Sequence, residues 1–198
     1  IYTTVIMTKL KAIAGTMGAG KTTAIRELSK YMPVAYEPKS PYLKLFYKNP
    51  KNWSFHMQVW MMQHRTRQAK RLISEGGGLQ DRTLFEDKIF QGMLHEQGNM
   101  SDTEYKMCND LYQRLILEEV PDTIIYLRVS AETSIARVRE RDRPAEREVS
   151  DEYLKELHRR YEDWAYLWET YRDDSFVAID WNEPDMYKLK GVLDATNN

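Results

Sequence analysis

Cysteine is almost missing from this chain: Cys108 is the only one in 198 residues. That excludes an internal disulfide framework and a cysteine-built zinc site, and it suits a reducing compartment. Cys108 lies in a helical-looking segment, where it reads as a small core or surface residue and not as a nucleophile. No apolar run approaches the roughly 20 residues of a membrane span. The N-terminus has no basic region followed by an apolar core, so no signal peptide is visible. These absences favour a cytoplasmic protein with no membrane partner. An excess of one charge is missing too. The net charge is −1, which gives no electrostatic case for binding a nucleic-acid polymer. Repeats, low-complexity tracts and domain linkers are also lacking. The 42% hydrophobic and 30% charged content is that of an ordinary globular protein, and one domain over residues 1–198 is expected. Met7 is a candidate start, and residues 1–8 read as a disordered or non-native N-terminal extension.

What is present centres on Gly15-Thr16-Met17-Gly18-Ala19-Gly20-Lys21-Thr22-Thr23, which matches the phosphate-binding pattern G-x-x-x-x-G-K-[ST]. Leu10 to Ala14 is a short apolar run that reads as a buried strand, and Ala24 to Met32 has helical spacing. Strand, glycine loop and helix in that order make the pattern a site. The glycines allow backbone N–H groups to surround a phosphate, and the helix N-terminus adds a favourable field. Gly15, Met17, Gly18, Ala19, Gly20, Lys21, Thr22 and Thr23 are therefore expected to bind ATP, with Lys21 on the β- and γ-phosphates. Thr22 would place its hydroxyl on Mg²⁺.

Strand and helix signals alternate downstream, which predicts an α/β fold: about five parallel strands with helices on both faces. Residues 33–36 read as a brief second strand, followed by a Pro- and Lys-containing connection over 38–49. A long helix is expected over 52–74, a third strand over 78–80, and helices over 84–96 and 101–119. The spacing then gives a strand at 122–129, helices at 131–141 and 149–171, a last strand at 176–179 and a closing helix at 185–193. In such sheets ligands sit beyond the carboxyl ends of the strands. Glu37, Asp81-Arg82 and an arginine-rich turn, Arg137, Arg141 and Arg143, all follow strands or lie one helix beyond. Glu37 alone would pass for a solvated turn glutamate, Asp81-Arg82 for a strand-end ion pair, and the arginines for a solvated face. Together with a phosphate loop they supply a base, a metal ligand (Asp81) and bidentate donors, the parts phosphoryl transfer requires.

The order Gly-x4-Gly-Lys-Thr, Glu37-Pro38, Tyr47-x-x-Pro50-x-x-Trp53-Ser-Phe-x-x-Gln58, Asp81-Arg82-Thr83 and Arg141-x-Arg143 resembles the deoxynucleoside kinases. That group includes deoxycytidine and deoxyguanosine kinases, the insect multisubstrate enzyme and bacterial deoxyadenosine kinases. The likeness runs from about Leu10 to Trp164. It implies transfer of the γ-phosphoryl of ATP-Mg²⁺ to the 5′-hydroxyl of a deoxynucleoside by a homodimer, with 52–74 and 101–119 as candidate interface segments. It implies Glu37 as base with Arg82 beside it, Tyr47 and Glu146 on the 3′-hydroxyl, and Gln58 on the base edge. Arg65 and Asp87 become a charged pair lining the base pocket, Phe90 a stacking partner, and Arg137, Arg141 and Arg143 a lid over ATP. The same pair favours a purine or cytosine over thymine. Two residues depart from the family pattern: Asp142 replaces a glycine between the lid arginines, and Met61 stands where cytosine-preferring members have a small residue. A thymidylate-kinase-like nucleoside monophosphate kinase, a polynucleotide 5′-kinase and a non-catalytic nucleotide switch are the alternatives. The first lacks a visible cationic acceptor site, the second a basic track, and the third gives Glu37 no role.

Overall fold

The computed structural model describes residues 10–118, 120–147, 149–171 and 175–196; the expected N-terminal extension lies outside them. Strands β1 (Leu10–Ala14), β2 (Val34–Ala35), β3 (Gly78–Asp81), β4 (Thr123–Arg128) and β5 (Phe176–Asp180) form one parallel sheet in the order β2-β3-β1-β4-β5. The helices are α1 (Lys21–Leu28), α2 (Leu43–Lys48), α3 (Pro50–Ser74), α4 (Leu84–Glu96), α5 (Asp102–Leu115), α6 (Ala131–Glu140), α7 (Asp151–Tyr171) and α8 (Met186–Ala195).

β1 and β4 are near-continuous apolar runs because helices cover both of their faces. Ile13, Ile125 and Leu127 pack with Ile25 and Leu28 of α1 and Leu189 and Leu193 of α8. Their neighbours one residue away, Ala14, Ile124 and Tyr126, turn to Leu157, Tyr161 and Ala165 of α7 and to Ile89 and Met93 of α4. That is the two-residue alternation of a strand. A third cluster joins α3, α4 and α5 through Met62, Leu84, Leu94, Met100 and Cys108, with Phe55 and Val59 against it. Cys108 is buried there, and burial pushes its thiol up to about 11, so it is a packing residue. The Ser101 start of α5 is a capping box: Glu104 Oε2 accepts from Ser101 N at 2.8 Å, and Ser101 Oγ accepts from Glu104 N at 3.3 Å.

The connection expected over 38–49 contains a helix, α2. Six residues between two prolines give too little apolar periodicity to read, and so short a helix is marginal by itself. Packing against α3 sustains it, with Phe46 in the same cluster as Phe55 and Val59. α3 begins two residues earlier than the apolar spacing suggested. Asn49 Oδ1 accepts from Asn52 N at 3.2 Å and Pro50 occupies the first turn. Register aligns the strand ends that matter. Ile13 lies opposite Asp81 on one side and Ile125 on the other, so the phosphate loop and Asp81-Arg82 emerge side by side.

Candidate active site

A cavity of about 560 Å³ opens at this edge of the sheet, with Lys21, Glu37, Gln58 and Asp81 in its wall. Gly18 and Gly20 of the loop hold φ of 81° and 93°, the left-handed region that favours glycine. A Cβ on Gly18 would lie 2.3 Å from the Ser134 carbonyl oxygen of α6. Lys21 Nζ donates to the carbonyls of Gly15 (2.6 Å) and Thr16 (2.9 Å). Burial and the Arg82 charge bring Lys21 down to about 8, against the opposing pull of Asp81, Glu86 and Glu37. Gly15, Met17, Gly18, Ala19, Gly20, Thr22 and Thr23 all lie in this loop or the first turn of α1, as the motif requires.

The acceptor side is built by β2, β3, α3 and α4. Glu37, two residues past β2, keeps 43% of its side chain open, and its Oε1 meets Arg82 Nε at 2.9 Å. Partial desolvation raises the Glu37 carboxyl, but Arg82, Arg65 and Lys21 outweigh it and hold the group below its ordinary value. Arg82 has φ 69°, an uncommon conformation for a non-glycine residue. Arg65 and Asp87 are both buried and form a two-armed fork: Nε to Oδ2 at 3.1 Å and Nη2 to Oδ1 at 3.2 Å. Burial pushes Asp87 up to about 6 in spite of Arg65, which leaves it ionised at neutral pH. Gln58 and Met61 are buried on the α3 face toward this fork, and Gln58 Oε1 has no hydrogen-bond partner among the described residues. Phe90 lines the same cavity and carries the Arg82 guanidinium 5.3 Å above its ring.

Asp81 is the last residue of β3. Burial and the neighbouring Glu37 raise it to about 6, against Lys21 and Arg82. Its Oδ1 is buried with no hydrogen-bond partner among the described residues, which suits a cation ligand. No group of three or more His, Cys, Asp or Glu that could hold a metal occurs among the described residues. Mg²⁺ would fit that donor set with phosphates and water completing its shell, Thr22 and Asp81 being the candidate protein ligands.

The arginine turn divides its work. Arg137 donates to the backbone carbonyls of Trp181 (3.1 Å) and Asn182 (2.7 Å), so it ties α6 to the segment after β5. Arg141 Nη2 pairs with Glu146 Oε2 at 2.7 Å, and Arg143 Nη1 approaches Glu146 Oε1 at 3.5 Å. Glu146 is buried in a short 3₁₀ turn against α2. Tyr47 of α2 is pushed up to about 12, first by burial and then by Glu146 and Glu37. Asp142 holds φ 42°, the left-handed conformation that explains a glycine at this position in the family pattern. Both its oxygens accept from Arg147, at 2.8 and 2.7 Å, so its charge is matched locally.

Two residues of the site went unread in the sequence, Glu86 and Tyr161. Both are fully buried against Arg82. Thr83-x-x-Glu86 is a helix-start signature that could have drawn attention to Glu86, and Thr83 N does donate to its Oε2 at 2.9 Å. Tyr161 sits on an ordinary apolar helix face and carries no local signal.

A parallel sheet with a glycine loop running into a Lys-Thr helix start defines a P-loop nucleotide-binding protein. The deoxynucleoside kinase family profile matches residues 12–194. A deoxyadenosine kinase of Dictyostelium discoideum is 38% identical over 178 residues, covering 87% of this chain and 72% of its own. A deoxyadenosine/deoxycytidine kinase of Bacillus subtilis (strain 168) is 35% identical over 161 residues, 77% of this chain and 74% of its own. The structure of deoxyadenosine kinase from M. mycoides with bound dATP superposes with a TM-score of 0.80 at 34% identity, covering 96% of this chain and 100% of that one. The chain belongs to the deoxynucleoside kinase family, whose members phosphorylate deoxynucleosides.

Proposed function

We propose that the chain transfers the γ-phosphoryl of ATP to the 5′-hydroxyl of a deoxynucleoside and prefers a purine or cytosine base over thymine. The observation that carries this reading is the placement of Glu37 and Arg82 between the phosphate loop and the Arg65–Asp87 fork, in one cavity. A deoxynucleoside in that cavity puts its sugar at the carboxylate and its base at the fork. Glu37 accepts the hydroxyl proton, and the Arg82 guanidinium holds the carboxylate and the acceptor oxygen in line. Lys21 and the loop N–H groups hold the β- and γ-phosphates, while Arg141 and Arg143 stabilise the charge that develops on the transferred group. Thr22 and Asp81 would hold Mg²⁺, which would supply charge neutralisation on the phosphates. Tyr47 and Glu146 take the 3′-hydroxyl. Gln58 offers a donor and an acceptor to the base edge. Ionised Asp87 is acceptor-only, which suits the exocyclic amino group of adenine or cytosine and opposes the thymine carbonyl. The bound dATP of the M. mycoides kinase and the two substrates named for the B. subtilis kinase agree with that class of base.

The test is transfer from γ-radiolabelled ATP to the four deoxynucleosides, to nucleoside monophosphates and to 5′-hydroxyl oligonucleotides, with and without Mg²⁺. Label is expected on the 5′-oxygen of deoxyadenosine, deoxyguanosine or deoxycytidine. Transfer to monophosphates or oligonucleotides alone would overturn the reading, and thymidine as the best acceptor would overturn the base preference.

A further inference from the structure

The Glu86 carboxylate is 0% exposed, and a buried charge is costly unless it is fully partnered. Its partners come from three separate parts of the chain: Gly15, Arg82-Thr83 and Tyr161. Oε1 accepts from the Tyr161 hydroxyl at 2.9 Å, from Arg82 Nη1 at 3.1 Å and, at 3.4 Å, from Gly15 N at the start of the phosphate loop. Oε2 accepts from Thr83 N. The Tyr161 oxygen itself accepts from Arg82 Nη1, and the Gly15 carbonyl takes a further bond from the same nitrogen at 3.2 Å. One end of the guanidinium is therefore fixed from behind. The other end, Nε, is the one that faces Glu37. The central carbon of the Arg82 guanidinium lies over the rings of Phe90 and Tyr161, 5.3 and 5.9 Å from their centroids. Among the described residues, neither Glu86 nor Tyr161 lines the cavity, so any effect on a substrate passes through Arg82.

We infer that Glu86 and Tyr161 are positioning residues for Arg82: they hold its far nitrogen so that Nε is presented to Glu37 at the acceptor site. This rests on the reading of Glu37 as the base and Arg82 as its partner. An arginine side chain has four rotatable bonds and several alternative acceptors nearby, Asp81 among them. Its productive orientation needs a fixed point on the side away from the substrate, because the substrate side changes in every cycle. Glu86 and Tyr161 provide that point from two helices, α4 and α7. Small errors in such geometry are expensive in rate and cheap in binding.

Tyr161→Phe removes one oxygen and keeps the ring that packs on Tyr126 and Phe90. It is expected to lower kcat about tenfold, with KM for ATP and for the deoxynucleoside each within about twofold and a melting temperature close to the parent's. Glu86→Gln, which keeps the acceptor for Thr83 N, is expected to retain more kcat than Glu86→Leu. In the Glu37→Gln background, Tyr161→Phe should cost little more, because the two changes disable one unit. The inference is overturned if folded Tyr161→Phe keeps the parental kcat, if its loss lies in KM alone, or if it multiplies in full with the loss of Glu37→Gln. Should Glu86→Leu not fold, the Tyr161 and Glu86→Gln arms decide the question. A Glu37→Gln protein with parental turnover would instead sink the assignment of the base, a different result from a silent Tyr161→Phe.

Discussion

At the scale of residues, the site is a set of charges that hold each other in place. Three cations, Lys21, Arg65 and Arg82, lie within reach of Glu37, Asp81, Asp87 and Glu86, and their mutual interaction sets which form each takes. Glu37 stays ionised because three cations outweigh its desolvation. Glu37→Gln preserves shape and hydrogen bonding but not basicity, so kcat should fall by about 10²–10⁴ with KM for the nucleoside little changed. Steady-state kinetics on the purified variant checks this. Asp87 behaves differently, because burial raises it to about 6. Above that pH it is an acceptor; below it the carboxyl gains a proton and the match to an exocyclic amino group is lost. kcat/KM for the preferred nucleoside should therefore fall as the pH drops through about 6, where Asp81, also raised to about 6, titrates in the same window and steepens the limb. Arg65→Met/Asp87→Ala should make that limb shallower, leaving the share of Asp81, and narrow the gap between thymidine and the other three nucleosides. An unchanged ranking in the double variant would refute the role of the fork.

At the scale of elements, the phosphate loop is clamped from outside by α6. Ser134 Oγ donates to the Met17 carbonyl at 2.6 Å, and the Ser134 backbone sits where a Gly18 side chain would go. Gly18→Ala meets both that contact and a φ of 81°. We expect it to cost about 1–3 kcal/mol of stability in denaturant unfolding and to weaken ATP binding by displacing the loop. The turn after α6 carries Arg141 and Arg143, the arginines proposed to act on the transferred phosphoryl group. Arg141→Lys keeps a charge but loses the planar fork, so kcat should drop by more than the affinity for ATP. Asp142→Gly should remain active, because the left-handed turn suits glycine. Comparing kcat and KM for ATP in the two variants tests both statements. Most elements were legible from apolar period and punctuation: β1, β4, α4 and α8 fall within two residues of their expected limits. α2 was not, since its six residues carry no period of their own and depend on α3 for partners.

At the scale of the whole molecule, the described helices include none long and apolar enough to cross a membrane. The homodimer that the family resemblance implies would use α3 and α5, which pack side by side; Met107 on α5 is 54% exposed. Sedimentation equilibrium should give the mass of two chains, and Met107→Asp should shift it toward one. A single-chain mass at all concentrations would refute the interface. The sequence alone determined the class of chemistry: the glycine loop, Glu37, Asp81-Arg82 and the arginine turn are local patterns, and a parallel sheet sends every strand end to one edge. It also placed Arg65 and Gln58 together, because seven residues are two helical turns. Only the tertiary structure decided what each charge faces. Glu86 and Tyr161 are 75 residues apart in the chain, and their meeting behind Arg82 depends on how α4 and α7 pack on one face of the sheet. The same holds for Arg137 on the carbonyls after β5. Local periodicity fixes which face of an element is buried; which side chain lies across from it follows from the packing of elements distant in sequence.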